Sequence, residues 1–267
     1  MSGDADAAPL TVRLQAVRHE AEGVLSFELR SPGGGPLPAF AAGAHVDLHL
    51  GAGLVRSYSL CNSPGERHRY LIAVHLDRAS RGGSRHLHEA VRVGQLLSIS
   101  PPRNHFPLDE AAPHSVLIAG GIGITPMLAM VRRLVEGGRP WSLHYATRTR
   151  AHAAFLDDLK ALAAAGPAGR LCLHFDDEAG GVMDLAGVVR GGPPGAHFYA
   201  CGPSPMLQAY AEATRDVSPD RVHVEYFGAK EAPALDGGYE VALARSLVAC
   251  RWAMLPGLTL SPSASTS

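Results

Sequence analysis

A six-stranded antiparallel barrel followed by a parallel α/β sheet is the architecture that this chain of 267 residues predicts, and three features carry that expectation. Residues up to about Ser100 fall into short runs that alternate apolar and polar positions, bounded by glycine and proline turns, as half-buried strands do. Beyond Pro107 apolar strands alternate with helical stretches, which implies a parallel sheet covered on both faces. Early in that second half, Val116 to Met127 (VLIAGGIGITPM) reads as a buried strand, a tight glycine turn and a helix start.

In the first half a strand is expected over Thr11 to Arg18. Val24 to Arg30 sets Leu25, Phe27 and Leu29 against Ser26, Glu28 and Arg30, and Ala44 to Leu50 sets Val46, Leu48 and Leu50 against His45, Asp47 and His49. Each of these strands is expected to have one buried and one wet face. Runs at Val55 to Leu60, Arg69 to Leu76 and Gln95 to Ser100 complete about six strands, with turns at Gly33-Gly34-Gly35, Gly51-Ala52-Gly53 and Pro64-Gly65. A small closed barrel is the economical arrangement, because closure removes exposed edges. One helix interrupts it, opening at Gly82-Gly83-Ser84 and running through His88 and Val91, with Ser84 as the expected N-cap. Those glycines expose backbone N–H groups, so the turn is either an ordinary cap or a phosphate cradle. Pro101, Pro102 and Pro107 bracket a natural linker.

In the second half strands are expected at Val116 to Ala119, Trp141 to Ala146, Arg170 to Phe175, His197 to Cys201 and Val222 to Phe227. Helices are expected at Pro126 to Glu136, His152 to Ala165 and Ser204 to Arg215. Ligands on such sheets lie beyond the carboxyl ends of the strands, the edge on which Gly120 to Gly123 and Gly202-Pro203 would fall. Pro126 suits a first helical position, where its missing N–H and fixed φ do no harm. Gly120, Gly121 and Gly123 allow positive φ and close backbone approach, while the helix start aims N–H groups and a positive dipole end at an anion, most simply a dinucleotide pyrophosphate. The pattern is G-x-G-x-x-P, with Pro126 in place of a third glycine, and plain packing is the other use such glycines have.

A formal charge of -1 and a pI near 6.9 argue against a broad basic surface for nucleic acid or an anionic membrane. The basic residues are nearly all arginine, Lys160 and Lys230 being the only lysines. The opening MSGDADAAPL lacks the apolar core of a secretory signal, and Leu247 to Leu260 is broken by Arg251 and Pro256, short of the ~20 residues of a membrane helix. A soluble, cytoplasmic protein with no membrane partner is expected. Cys61, Cys172, Cys201 and Cys250 are too scattered for a disulfide framework or a zinc or iron–sulfur site within the chain. His45, Asp47 and His49 have metal-like spacing but read as wet barrel exterior, and no metal site is expected.

Arg56-Ser57-Tyr58-Ser59-Leu60, Gly82-Gly83-Ser84, Gly120 to Pro126, Cys201-Gly202-Pro203 and Glu225-Tyr226-Phe227-Gly228 occur in an order that resembles the ferredoxin-NADP reductase superfamily. The segments PRNHFPL and AGGIGITPML are similar to those of the phthalate dioxygenase reductase and vanillate demethylase reductase branch, and the likeness runs from about Thr11 to Ser246.

The resemblance implies a flavin-binding barrel and a Rossmann-like NAD(P)H-binding domain. It places Arg56 at the flavin phosphate, Tyr58 against the isoalloxazine face and Ser59 at N5, with Ser57 also among the flavin-binding residues. Ala73, Val74 and His75 would line the flavin, Gly82, Gly83 and Ser84 would receive its phosphate, and Phe227 would close over it. Thr125, Cys201 and Glu225 would join Ser59 at the reacting rings. Gly120, Gly121, Gly123, Cys201, Gly202 and Pro203 would hold NAD(P)H together with Thr147 and Arg148. The segment Thr147-Arg148-Thr149-Arg150 bears on nucleotide type, an acid there arguing for NADH and an arginine for the phosphate of NADPH. Both nucleotides stay open, with NADH slightly ahead. FMN is expected over FAD, since the loop from Arg78 to Arg81 offers no obvious adenine platform.

Members of the branch carry a C-terminal plant-type [2Fe-2S] domain. Tyr239 to Ser246 resembles its opening strand, after which the likeness stops, so no cluster is expected here and the tail is expected to be disordered or packed on the surface. The implied organisation is an FMN-binding barrel over residues 1–108, an NAD(P)H-binding domain over 109–228, and a linker with a truncated tail over 229–267. The implied activity passes hydride from NAD(P)H to FMN and then single electrons to a [2Fe-2S] acceptor, in a separate ferredoxin or a Rieske-type oxygenase component of an aromatic-ring oxygenase or O-demethylase. Alternatives are a free-standing diaphorase, flavin or ferric reductase, and a truncated non-catalytic relic.

Overall fold

The computed structural model describes residues 8–51, 53–77, 82–165 and 169–227, together with one short strand pair nearer the C-terminus. Strands β1 (Leu10–Ala21), β2 (Val24–Arg30), β3 (His45–His49), β4 (Val55–Ser59), β5 (Tyr70–His75) and β6 (Leu96–Ile99) form an antiparallel sheet in the order β4-β3-β6-β1-β2-β5. Its two ends meet, because Leu60 bridges Ile72 and the Cys61 N–H donates to the Leu71 carbonyl at 2.8 Å. Closure encloses a core of Val12, Leu14, Phe27, Leu29, Val46, Leu48, Leu60 and Ile72, the inward positions of the alternating pattern.

Helix α1 (Gly83–Glu89) lies between β5 and β6. The parallel half follows as β7 (Ser115–Gly120), α2 (Ile124–Glu136), β8 (Trp141–Thr147), α3 (Leu156–Ala164), β9 (Gly169–Phe175), α4 (Asp176–Ala179), α5 (Leu185–Arg190), β10 (His197–Cys201), α6 (Ser204–Ala213) and β11 (Val222–Glu225). The strand order β11-β10-β7-β8-β9 reverses direction between β7 and β10, a switch point where ligands of such sheets settle. One face of the sheet packs Leu117, Leu143 and Tyr145 on Met127 and Met130 of α2, and that cluster continues onto Ala21, Leu71 and Ala73 of the barrel. The opposite face packs Val116, Ile118 and Phe198 on Leu185, Leu207 and Tyr210.

Four expectations are corrected. The second face of β2 is not wet: Ser26 and Glu28 are buried, 1% and 2% exposed, because the barrel turns this face toward the parallel half. Glu28 tolerates that position by accepting from Arg30 at 2.7 Å, Arg18 at 3.2 Å and Arg69 at 3.3 Å. Burial pushes its carboxyl up, but those three arginines outweigh it and hold the pKa below the ordinary value. Secondly, Gly82, not Ser84, caps α1, with a left-handed φ of 96° that a residue with a side chain resists; the Ser84 hydroxyl instead accepts the Asp77 N–H at 3.2 Å. Thirdly, a 3₁₀ turn over Gly121–Gly123 lets α2 begin at Ile124, so Pro126 is the third helical residue and still within the turn whose N–H groups have no helical partner. Finally, α3 starts at Leu156, not near His152, since Arg150–His152 form their own 3₁₀ turn and Phe155 takes a left-handed φ of 61°.

Helices α4 and α5 were not foreseen. The strand pair Glu240–Val241 and Cys250–Arg251 is antiparallel and belongs to a second unit that begins at Gly228. The other expectations for the tail, and the one for Arg78 to Arg81, fall outside the described residues.

Candidate active site

Two turns build the carboxyl edge at the switch point, and they abut so closely that their glycines are dictated by packing. A Cβ on Gly123 would overlap the Cys201 carbonyl, and one on Gly120 would lie 2.7 Å from the Met206 sulfur and 2.8 Å from Pro203 Cδ. Gly202 is confined by the same Met206 side chain. Gly121 differs: its φ is 53° and a Cβ there would meet nothing within 4 Å. Gly121 is therefore the glycine that presents bare backbone to open space, ahead of the α2 start and its N–H groups. Thr125, 2% exposed, donates its hydroxyl to the Ile122 carbonyl at 3.0 Å and so braces this turn.

The barrel meets that edge at the end of β4. The Ser59 hydroxyl donates to Glu225 Oε2 at 3.4 Å, a bond from the antiparallel sheet to the last residue of β11. Glu225 stands beside Cys201 in the parallel register, so Ser59, Cys201 and Glu225 form one cluster, with Thr125 one short turn away through Gly123. Burial pushes the Glu225 carboxyl up to about 7, and the Ser59 hydrogen bond only partly offsets it. Burial and the nearby Glu225 charge raise the Cys201 thiol well above its ordinary value, so Cys201 is a neutral wall and not a thiolate.

Along the barrel rim, Tyr58 is half-buried and its phenol is pushed up to about 12, burial outweighing the opposing charge of Arg56. Arg56 lies across the α1 start, where a Cβ on Gly83 would come within 2.6 Å of Arg56 Cγ and 3.0 Å of its Nε; it also donates to the Val55 carbonyl at 2.7 Å. Gly82 and Gly83 with Arg56 thus bring a helix start and a guanidinium together, a combination whose chemistry suits a phosphate. Ala73 and Val74 of β5 are buried, and the Val74 carbonyl bonds His88 Nε2 at 2.9 Å, which ties α1 to that strand. Ser57 is exposed and hydrogen-bonds Asp47 at 2.6 Å, while His75 closes β5 and Pro203 precedes α6. Phe227 does not pack closely: it is 47% exposed. Asp47 also pairs with Arg103, and among the described residues no group of three or more His, Cys, Asp or Glu could hold a metal ion.

At the other end of the edge, Thr147 is 5% exposed and its hydroxyl donates to the Thr149 carbonyl at 2.8 Å, whereas Arg148 is exposed. Next to them opens a cleft of about 280 Å³ lined by Arg150, Leu173, His174, Phe175, Glu178 and Ala179. Phe175 and Glu178 were not singled out from the sequence. The acidic run Asp176-Asp177-Glu178 directly after a predicted strand is the signal that points to them. Among the described residues no helix is long and apolar enough to cross a membrane.

Residues 117–212 match the model of the oxidoreductase NAD-binding domain. The chain is 53% identical over 246 residues to the phenoxybenzoate dioxygenase subunit beta of Ectopseudomonas oleovorans, covering 92% of this chain and 76% of the relative. It is 44% identical over 227 residues to the vanillate O-demethylase oxidoreductase of Pseudomonas putida, covering 84% and 70%. A solved phthalate dioxygenase reductase, described as a modular structure for electron transfer from pyridine nucleotides to [2Fe-2S], superposes with a TM-score of 0.77 at 36% identity, over 91% of this chain and 76% of that one. A closed antiparallel sheet joined to an NAD-binding parallel sheet defines an oxidoreductase of the ferredoxin-reductase type. Within that class, the chain belongs to the ferredoxin-NADP reductase superfamily, in the branch of the phthalate dioxygenase and vanillate demethylase reductases.

Proposed function

We propose that this chain is the NAD(P)H-oxidising flavoprotein module of a multicomponent oxygenase or O-demethylase, with FMN on the barrel over residues 1–108 and NAD(P)H on residues 109–228. The observation that supports the reading is the Ser59–Glu225 hydrogen bond, which joins the end of barrel strand β4 to the carboxyl end of β11 in the parallel sheet. Bound FMN would supply the chemistry that side chains lack, taking up a hydride and giving electrons back one at a time. Arg56 and the N–H groups at Gly82 and Gly83 would hold its phosphate, and Tyr58, Ala73 and Val74 its ring. Gly121 and the α2 start would hold the pyrophosphate of NAD(P)H. Thr125 and Cys201 would limit water at the nicotinamide and fix its approach, which is the main service a protein renders to hydride transfer. Glu225, titrating near neutrality, would hold or release a proton through Ser59 at the edge of the ring. The acceptor would be a [2Fe-2S] centre in a separate ferredoxin or a Rieske-type oxygenase component.

Purified protein should be yellow, release FMN on acid treatment and bleach with NAD(P)H under nitrogen. Cytochrome c should then be reduced rapidly only after a ferredoxin is added; fast reduction without one would favour a free-standing diaphorase. Colourless protein that takes up no added FMN would end the proposal. Arg56→Ala should weaken FMN binding about 10- to 100-fold, the loss expected for one charge-assisted phosphate contact, measured by fluorescence quenching.

A further inference from the structure

Tyr199 and His223 lie directly beneath the Ser59, Cys201 and Glu225 cluster, two residues before Cys201 and Glu225 and therefore on the same face of β10 and β11. Their rings stack, with centroids 4.3 Å apart and planes 12° from parallel. His197 stands two residues further down β10, and its Nδ1 is 3.2 Å from His223 Nε2. The two imidazole planes differ by only 16° while their centroids are 5.4 Å apart, so the rings meet edge to edge. One facing nitrogen carries a proton and the other accepts it. This bond ties β11, an edge strand paired only with β10 among the described residues, to its single neighbour.

A second partner waits for His197. Asp109 Oδ2, on the linker between the two halves, lies 3.8 Å from the same Nδ1. We infer that His197 is a two-position switch, bonded to His223 while one facing nitrogen is bare and turned to Asp109 once both rings are charged, and that it thereby sets how firmly β11 holds Glu225. The switch needs no bound cofactor.

Two imidazolium rings would set N–H against N–H, and the bond would be lost. His223 is the ring that stays, because it lies flat on Tyr199 and its carbonyl accepts the Tyr210 hydroxyl of α6 at 3.3 Å. His197 is the ring that moves, toward an acceptor already at hand. The charged and titratable groups facing the pair are Asp109 from the linker, Asp220 from the 3₁₀ turn Pro219–Arg221, and the two tyrosines. Burial and then the charge of His197 lower the His223 pKa, while Asp109 and Asp220 oppose them. A depressed histidine binds fewer protons folded than unfolded, so the tie is whole above about pH 6.5 and is lost as pH falls through the folded value.

Nuclear magnetic resonance on the full chain without added cofactor tests the switch. With ¹⁵N-labelled histidine, coupling across the hydrogen bond between the two rings should be seen near pH 7.5 and vanish in acid. Over the same interval the protected amides of β11 should exchange about tenfold faster relative to their intrinsic rates, the loss of one hydrogen bond, while the Cys61 amide of the barrel stays unchanged. His197→Asn keeps a donor and an acceptor near the Nδ1 position but cannot charge, and should remove the pH dependence. Asp109→Asn removes the acid-side partner and should move the transition to lower pH. Rings that titrate independently with no coupling at any pH would overturn the switch, as would a transition that persists unchanged in His197→Asn. Should that variant fail to fold, the coupling measured in the wild type decides alone.

Discussion

At the β10–β11 end of the carboxyl edge, Ser59 is 4% exposed and Cys201 is fully buried, and the one carboxylate among them, Glu225, is pushed to a pKa of about 7. At the β8–β9 end the side chains of Arg150 and Glu178 are 57% and 49% exposed and neutralise each other in a side-on pair. The contrast shows two uses of charge on a single edge. Where water is excluded, one proton on one carboxylate changes the local energy by kilocalories, which suits chemistry. Where water screens, opposite charges contribute little to stability.

The largest effect that would break this picture is on the backbone that joins the two ends. Gly123→Ala would drive a methyl group into the Cys201 carbonyl, backbone against backbone, with no flexible side chain to yield. A stability loss of about 3 kcal/mol or more is expected in urea unfolding, on the scale of severe overpacking. Gly121→Ala meets no atom and should lose only about 1–2 kcal/mol, the strain of a left-handed alanine. Equal losses would mean that the two turns do not abut.

Next in size is the proton at the dry end. A carboxylate with a folded pKa near 7 and an unfolded value near 4.5 binds more protons folded than unfolded between those limits. Its burial therefore has no effect on stability below pH 4.5, weakens the fold progressively as pH rises from 4.5 to 7, and weakens it fully above 7. The full effect is at most about 3 kcal/mol. Glu225→Gln keeps an acceptor for Ser59 and removes the titration, so its stability relative to the wild type should climb by up to that amount between pH 4.5 and 8. A flat difference across that range would show that Glu225 is solvated.

How much of this was legible in the sequence follows the same contrast. The strands and their inward residues followed from the alternation of apolar side chains, since a barrel wall has a period of two. The buried second face of β2 did not, because Glu28 reads as a surface residue until Arg18, Arg30 and Arg69 are seen to converge on it from three separate stretches. The glycine turn was legible as a turn. Its division into packing glycines and one open glycine was not, because that depends on Met206 and Cys201, some 80 residues away. Arg150 and Glu178 lie 28 residues apart, and they meet because β8 and β9 pair Thr147 with Phe175, three residues before each. That register is fixed by the sheet as a whole, so no local motif announces the pair.

The smallest effect sharpens the wet end. In a double-mutant cycle of Arg150→Ala and Glu178→Ala, each single change should lower thermal stability only slightly, and the coupling between them should be about 0.5 kcal/mol, typical of a half-exposed ion pair. The pair should weaken further in 1 M salt, where the screening length falls to about 3 Å, while the Ser59–Glu225 contact should not respond. A coupling above about 2 kcal/mol would mean that the pair is a structural tie of β9 and not a screened surface contact. Stacking of Arg150 on Phe175 separates the two contributions: Arg150→Lys keeps the charge but loses the fork and the flat face, so it should lose most of the coupling if the side-on geometry carries it.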